Sequence, residues 1–330
     1  MLRFQCSQLV TERLDPLVNP GLLPSPHLHQ IVGGSSFNAT LSHDLAALST
    51  CTSCTFLDDA SNYWTAVLFF RARNGTYKRV PQVPGLGLGG RGGITVYYIP
   101  PRTAGAKTTA FRPGFRMLVG DVGAKTAAAA AGDPKICHRC MPISGEHSHL
   151  NCAAPDAVTL PGRFCPGGIR SVVTFPTCWD GVRLDSVDHR SHMAYPVKGT
   201  ETDPFDYDGG TCPESHPVKV PQVMYEVQWD TTQFNDRALW PEEDGLQPFV
   251  WSSGDKHGYS QHGDYVFGWK GDALQRAMDN RCFGEVCEGL PTQTPEKAAE
   301  CTKPVDVDED IDSCEITSHL VTYLDIIGLS

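Results

Sequence analysis

The stretch at 168–196, GIRSVVTFPTCWDGVRLDSVDHRSHMAYP, decides how the rest of the chain reads. Residues 169–175 are rich in β-branched side chains and are bounded by glycine and proline, the pattern of a strand. From Pro176 onward the periodicity disappears. Cys178, Trp179, Asp180, Asp185, Asp188, His189 and His192 crowd into irregular chain. A strand that delivers an irregular polar segment is a scaffold presenting a loop, which is where chemistry is usually found. The bland alternative is a disulfide-pinned loop whose Asp and His residues cap turns.

Working outward, short strands and Gly/Pro-rich turns repeat. Residues 63–70, 94–98, 115–120 and 220–229 read as strands, and 249–252 and 265–269 read as strands that flank His262-Gly263-Asp264. A turn at Asn74-Gly75 follows the first of these. Only 272–282 reads as a convincing helix, with Asp272 as its N-cap; 40–48 suggests a short helix, and the alanine-rich 124–131 an exposed insertion or frayed turn. Many short strands with few helices predict an all-β fold, a mainly antiparallel β-sandwich or jelly-roll-like domain with long disulfide-tied loops. Its expected extent is a single domain over 10–285, followed by an acidic, cysteine-containing tail over 286–330.

Composition excludes several classes. Hydrophobic residues at 40% and charged residues at 20% are globular values, neither disordered nor membrane-spanning. A net charge of -11 leaves no basic stripe to neutralise phosphates, so nucleic acid is not a partner. No apolar run is long enough to span a bilayer. Thirteen cysteines spread along the whole chain suit a secreted disulfide framework, and their odd number leaves one thiol over. Loop length and flanking turns suggest Cys152–Cys165 and Cys178–Cys212 as pairs. The rival is zinc at Cys51-x-x-Cys54 and Cys137-x-x-Cys140, disfavoured because the two pairs are far apart and both stretches are turn-like. Sequons at Asn38 and Asn74 agree with an extracellular glycoprotein. Met1–Cys6 carries no apolar h-region, so no leader is visible in the chain.

Three motifs are set aside. Gly87, Gly89 and Gly92 have dinucleotide-loop spacing but follow prolines and precede a strand, the wrong context for a phosphate cradle. The alternating Asp306, Asp308, Asp310 and Asp312 lack the glycine and glutamate of a calcium loop, which leaves an acidic surface run. No G-x-S-x-G stands between strand and helix, and the cysteines read as oxidised, which disfavours a serine or cysteine nucleophile.

The candidate site joins three distant segments. His27-Leu28-His29, read as a strand, puts both histidines on one face. Asp188, His189 and His192 come from the central stretch, and His262 and Asp264 from the third segment. Their convergence would make a pocket of imidazoles and carboxylates suited to acid/base catalysis. The alternative is a divalent metal, copper or zinc, with His27, His29, His192 and His262 as ligands. A third reading leaves each histidine as a turn cap. Trp64, Tyr98, Trp179 and Trp269 sit beside polar motifs and, with Asp180, form a candidate sugar-binding surface.

The runs at 165–196, 212–231 (CPESHPVKVPQVMYEVQWDT) and 258–269 (GYSQHGDYVFGW), together with RLDPLVNPG, HLHQIVGGSSF, CTSC, SNYWT and GGITVYY, resemble a fungal family. It is the one catalogued as domain of unknown function nineteen-ninety-six, and the likeness covers roughly residues 4–283. The resemblance implies secretion and frequent attachment to WSC or carbohydrate-binding modules, with no established chemistry. The chain departs from it in the alanine-rich insertion and in the acidic tail after Cys287. The expected function is a secreted carbohydrate-active protein, a hydrolase or lyase on wall polysaccharide using the His/Asp pocket. The alternative is a non-catalytic cell-wall or metal-binding protein.

Overall fold

The computed structural model describes residues 1–85, 88–101, 107–130, 135–143, 152, 155–197, 210–242, 247–280 and 282–312. The strand Ile169–Thr174 is buried along its whole length. It pairs antiparallel with Ile136–Cys140 on one side and Gln222–Trp229 on the other. The sheet continues through Ile94–Ile99 to Leu2–Cys6 at its edge, and the short Gln82–Val83 also pairs with Gln222–Trp229. A second antiparallel sheet runs in the order Gln8–Glu12, His29–Gly33, Asn62–Ala66, His262–Val266, Arg116–Gly120. One buried cluster joins Phe4, Val96, Val173 and Tyr225 of the first sheet to Val32, Tyr63, Met117 and Tyr265 of the second. The fold is therefore the predicted antiparallel β-sandwich.

Strand alternation sorts the second sheet cleanly. Val32, Tyr63, Tyr265, Met117 and Val119 face the first sheet. Ile31, Trp64 and Val266 face outward, onto a second apolar cluster supplied by Leu9, Leu14, Leu17, Phe37 and Leu45. The two sheets approach closely at Gly263, where an added Cβ would lie 2.9 Å from Val173 Cγ1 and 3.1 Å from Phe175 and Tyr225 ring atoms. Polar groups at the interface are satisfied by a chain of phenols. Tyr63 donates to Asp59 (2.6 Å), Tyr63 and Tyr98 hydroxyls are 2.8 Å apart, Tyr98 donates to Tyr265 (3.0 Å), and Tyr225 donates to the Asp264 carbonyl (2.6 Å).

Several local expectations change. The run at 63–70 is two strands, Asn62–Ala66 and Leu68–Arg71, because Val67 leaves the ladder and its N–H turns to the Leu28 carbonyl and Ser252 Oγ. Leu68–Arg71 then joins Tyr77–Arg79 and Phe249–Trp251 in a small sheet. The His-Gly-Asp motif is not between strands but opens one, His262–Val266, since Gly263 admits the facing sheet. The helix at 272–282 is Ala273–Asp279; the Asp272 side chain makes no capping bond and accepts from Arg276 Nε at 2.9 Å. The region 40–48 is helical only over Leu45–Leu48, and the alanine-rich segment only over Ala127–Ala130. Of the dinucleotide-like motif, Gly87 lies outside the described residues, and Gly89 and Gly92 lie in loop.

Twelve cysteines form six disulfides: Cys6–Cys54, Cys51–Cys301, Cys137–Cys152, Cys140–Cys165, Cys178–Cys212 and Cys282–Cys287. Cys178 and Cys212 pair as their loop length suggests. Cys152 and Cys165 do not pair with each other, because Cys137 and Cys140 on one strand each take one of them. Both CxxC motifs are thus oxidised rather than zinc-binding, and Cys314 lies outside the described residues. Beyond Cys301 the acidic run lies on the body. Lys303 N–H donates to the Leu9 carbonyl (3.1 Å), Glu12 accepts from the N–H groups of Asp306 and Val307, and Glu309 pairs with Arg13 (2.7 Å).

Candidate metal centre

The same alternation that points Ile31 and Trp64 outward puts His29, Ala66, His262 and Asp264 on the outer face of the second sheet. His29 pairs with Ala66 across the ladder, and the Gly263–Thr65 register carries His262 to the other side of that alanine. Two imidazoles therefore reach toward each other over a methyl group. His27, two residues before His29, falls on the same side. The result is tight: His27 Nε2 and His29 Nε2 are each 3.1 Å from His262 Nε2, and the rings of His27 and His29 are 4.1 Å apart. All three side chains are buried.

The tautomer of His262 follows from its other nitrogen. Nδ1 lies 3.0 Å from the Ser260 carbonyl, which can only accept, so Nδ1 carries the proton and Nε2 presents a lone pair. One lone pair cannot be in line with N–H donors from both neighbours at once, but a cation at the common focus satisfies all three. With metal–nitrogen bonds of about 2.0–2.1 Å, nitrogens 3.1 Å apart subtend about 100° at the ion, close to a tetrahedral or square arrangement. Burial, and then the neighbouring charges, hold the His27 and His29 protonation well below the usual histidine range, and burial lowers that of His262. The imidazoles are neutral at ordinary pH, the form that ligates metal. Asp264 Oδ2 is 3.8 Å from His262 Nε2, and both carboxyl oxygens lack a hydrogen-bond partner among the described residues. Burial pushes Asp264 well above the usual carboxylate range, with Asp15 adding to the effect and Arg190 opposing it.

A cavity of about 640 Å³ opens in front of His27 and His262. Its apolar walls are Leu17, Val18, Pro26, Leu118 and Val187, and its polar groups include Asp15, Lys125, Asp188, His189, Arg190 and Ser253. The central stretch reaches it because Leu118 N–H, on the edge strand Arg116–Gly120, donates to the His189 carbonyl (2.9 Å). His189 ties that stretch to the N-terminal segment: Nδ1 is 2.6 Å from Asp185 Oδ1 and Nε2 is 3.1 Å from the Leu17 carbonyl. The Asp185 bond leads in raising its pKa, against the effect of burial.

Not all the expected residues converge. His192 is engaged elsewhere, Nδ1 with Ser186 Oγ (2.8 Å) and Nε2 with the Arg116 carbonyl (2.9 Å), so it is not a ligand beside the trio. Asp188 lines the cavity, but its carboxylate accepts from Ser186 Oγ and the N–H groups of Arg190 and Ser191, and the Ser191 bond leads in holding its pKa well below the carboxylate range. Asp180 caps its own turn at Val182 and Arg183. Trp64, Tyr98, Trp179 and Trp269 are core side chains, each at most 3% exposed, and none lines the cavity. Their neighbours in sequence are polar, but the rings themselves are buried, Trp64 in the outer apolar cluster and the other three in the main one. Asp15, Lys125 and Arg190 were not singled out by sequence. Asp15 carried one usable signal, an aspartate before proline that opens a turn; its Oδ1 accepts from Leu17 and Val18 N–H at 3.2 and 3.0 Å.

No helix among the described residues is long and apolar enough to cross a membrane. Neither a curated protein nor a solved structure matches the chain. A family model does, and its span runs from Asp15 at the cavity to Trp269 in the core, enclosing all three histidines. By that match over residues 15–269, the chain belongs to the family described as Domain of unknown function (DUF1996).

Proposed function

We propose that this chain is an extracellular metal-binding protein in which His27, His29 and His262 hold one divalent transition-metal ion, zinc or copper, at the inner end of the cavity. The convergence of three buried, neutral imidazole Nε2 atoms on one point carries the reading. Imidazole donors suit both metals, and three protein ligands beside a cavity match sites that keep a position open for a further ligand. An ion there would act as a Lewis acid toward whatever enters. The protein's own part is to fix the donors. The sheet register sets His29 and His262, the Ser260 carbonyl sets the tautomer, and Asp264 stands by as a buried acid able to exchange a proton near the ion. An acid/base pocket without metal would use the same side chains but has no need for three nitrogens at one focus. The sugar-stacking reading loses its support with the tryptophans in the core. Six disulfides favour an oxidising, extracellular setting.

The test is elemental analysis of the purified chain after equilibration with zinc and copper and removal of free ion. The native chain should retain about one ion per molecule, with His29→Ala and His262→Ala losing it and His192→Ala keeping it. Retention in His262→Ala equal to that of the native chain, with circular dichroism unchanged, would sink the proposal.

A further inference from the structure

Among the described residues, two cations of the cavity make no ion pair with a carboxylate, although the charges of Asp255 and Asp121 bear on Lys125. Arg190 donates from Nη2 to the Gly120 carbonyl, and Lys125 donates from Nζ to the Ser253 carbonyl at 2.9 Å. Neither has a carboxylate within ion-pair distance, and their remaining side-chain N–H groups have no partner among the described residues. This is unusual in a chain with 38 acidic and 27 basic residues. The cavity has three carboxylates, and each is engaged by its own loop. Asp15 accepts from Leu17 and Val18 N–H, Asp121 from Gly123 N–H, and Asp188 from Ser186, Arg190 and Ser191. Their charges reach the site: Arg190 bears on His262 and Asp264, and Lys125 on His27. A planar guanidinium with free N–H groups and an ammonium lining the same cavity are both groups that bind carboxylates.

We infer that the cavity takes a carboxylate-bearing ligand, its carboxylate held by Arg190 and Lys125 beside the three histidines. For its role this rests on the metal-centre reading; for binding it rests only on the two cations and the cavity. The ligand chemistry has two sources, a small organic acid or the uronate of an acidic glycan. Arg190 also lines a neighbouring cavity of about 270 Å³, with Gly120 and Asp121 common to both, so a ligand that extends past Arg190 keeps the same anchor.

The experiment is calorimetric titration of the full chain with succinate, with a galacturonate trimer and with a neutral maltotriose control, alongside metal analysis of the same samples. Native protein should bind at least one of the acids and not the neutral sugar. Arg190→Gln and Lys125→Met lie on separate loops, and each should weaken that binding about tenfold or more, the loss of one charge-assisted contact. Preference for succinate identifies a small acid as the ligand, and preference for the trimer an acidic glycan. Protein that holds no metal yet binds the acid through both cations upholds the inference and removes the metal-centre reading. No acid binding by native protein, or undiminished binding in both folded variants, overturns it.

Discussion

Replacing His138 by glutamine should flatten the acid side of the stability profile. His138 lies on Ile136–Cys140 and is 1% exposed. Its Nε2 is 3.2 Å from the Gly258 carbonyl, so Nε2 carries the proton. Its Nδ1, 3.0 Å from Ser171 Oγ, then accepts from that hydroxyl, which itself accepts from Trp229 Nε1 at 3.2 Å. This directed chain fits neutral imidazole, and a second proton on Nδ1 would break it. Burial lowers the pKa from 6.5 to about 4, against the Gly258 carbonyl and the charges of Asp255 and Asp156. Below pH 6.5 the unfolded chain takes up a proton that the folded chain refuses until about pH 4. The contribution is therefore complete above pH 6.5 and declines as pH falls through that window, by about 3 kcal/mol in all. Asp59 works in the opposite direction. Burial raises it to about 7, so its contribution declines as pH rises from 3.8 toward 7. The difference between native and His138→Gln profiles isolates the histidine from Asp59 and from the metal-centre imidazoles. Equilibrium urea unfolding with disulfides intact, repeated between pH 4 and pH 7, measures it. Parallel profiles for the two proteins would refute the reasoning.

Two further outcomes follow from packing. Gly263→Ala places a methyl group against Val173, Phe175 and Tyr225 where the sheets meet, and should lower unfolding stability by about 1–3 kcal/mol in urea titrations. Asp156→Asn leaves Arg139 and Arg170, both buried, without their shared carboxylate. It should cost about 3–5 kcal/mol, read as a drop in melting temperature that Asp156→Glu partly restores.

The sandwich was legible in the chain because short β-branched runs between glycines and prolines have few other uses, as at 169–175. The alternation of His27, Leu28 and His29 pointed to a shared face, although the strand itself begins only at His29 and His27 lies in the bend before it. What local pattern cannot carry is the partner of that face. His262 is 235 positions from His27, and only the pairing of Asn62–Ala66 with both neighbouring strands brings them together. The step at Val67 was hidden for a related reason. Residues 63–70 are buried on both sides of the chain, so the apolar run shows no break where it changes sheet. The tryptophans misled because neighbours in a strand point to opposite faces, and a polar neighbour says nothing about where an indole goes. Arg190 and Lys125 escaped notice because a lone cation in a loop reads as solvated surface, and only the cavity distinguishes these two.

The acidic run after Cys301 has a consequence for how molecules meet each other. Gln8–Glu12 is an outer strand of its sheet, and such a strand offers unpaired backbone groups to any extended chain that drifts past. Here Lys303 already occupies the Leu9 carbonyl, and the anchored aspartates and glutamates beyond it surround that border with negative charge. The segment that resembled a calcium loop is thus placed to serve as a fender. A chain cut short after Cys301 would leave the Leu9 carbonyl of that border open to the strands of another molecule.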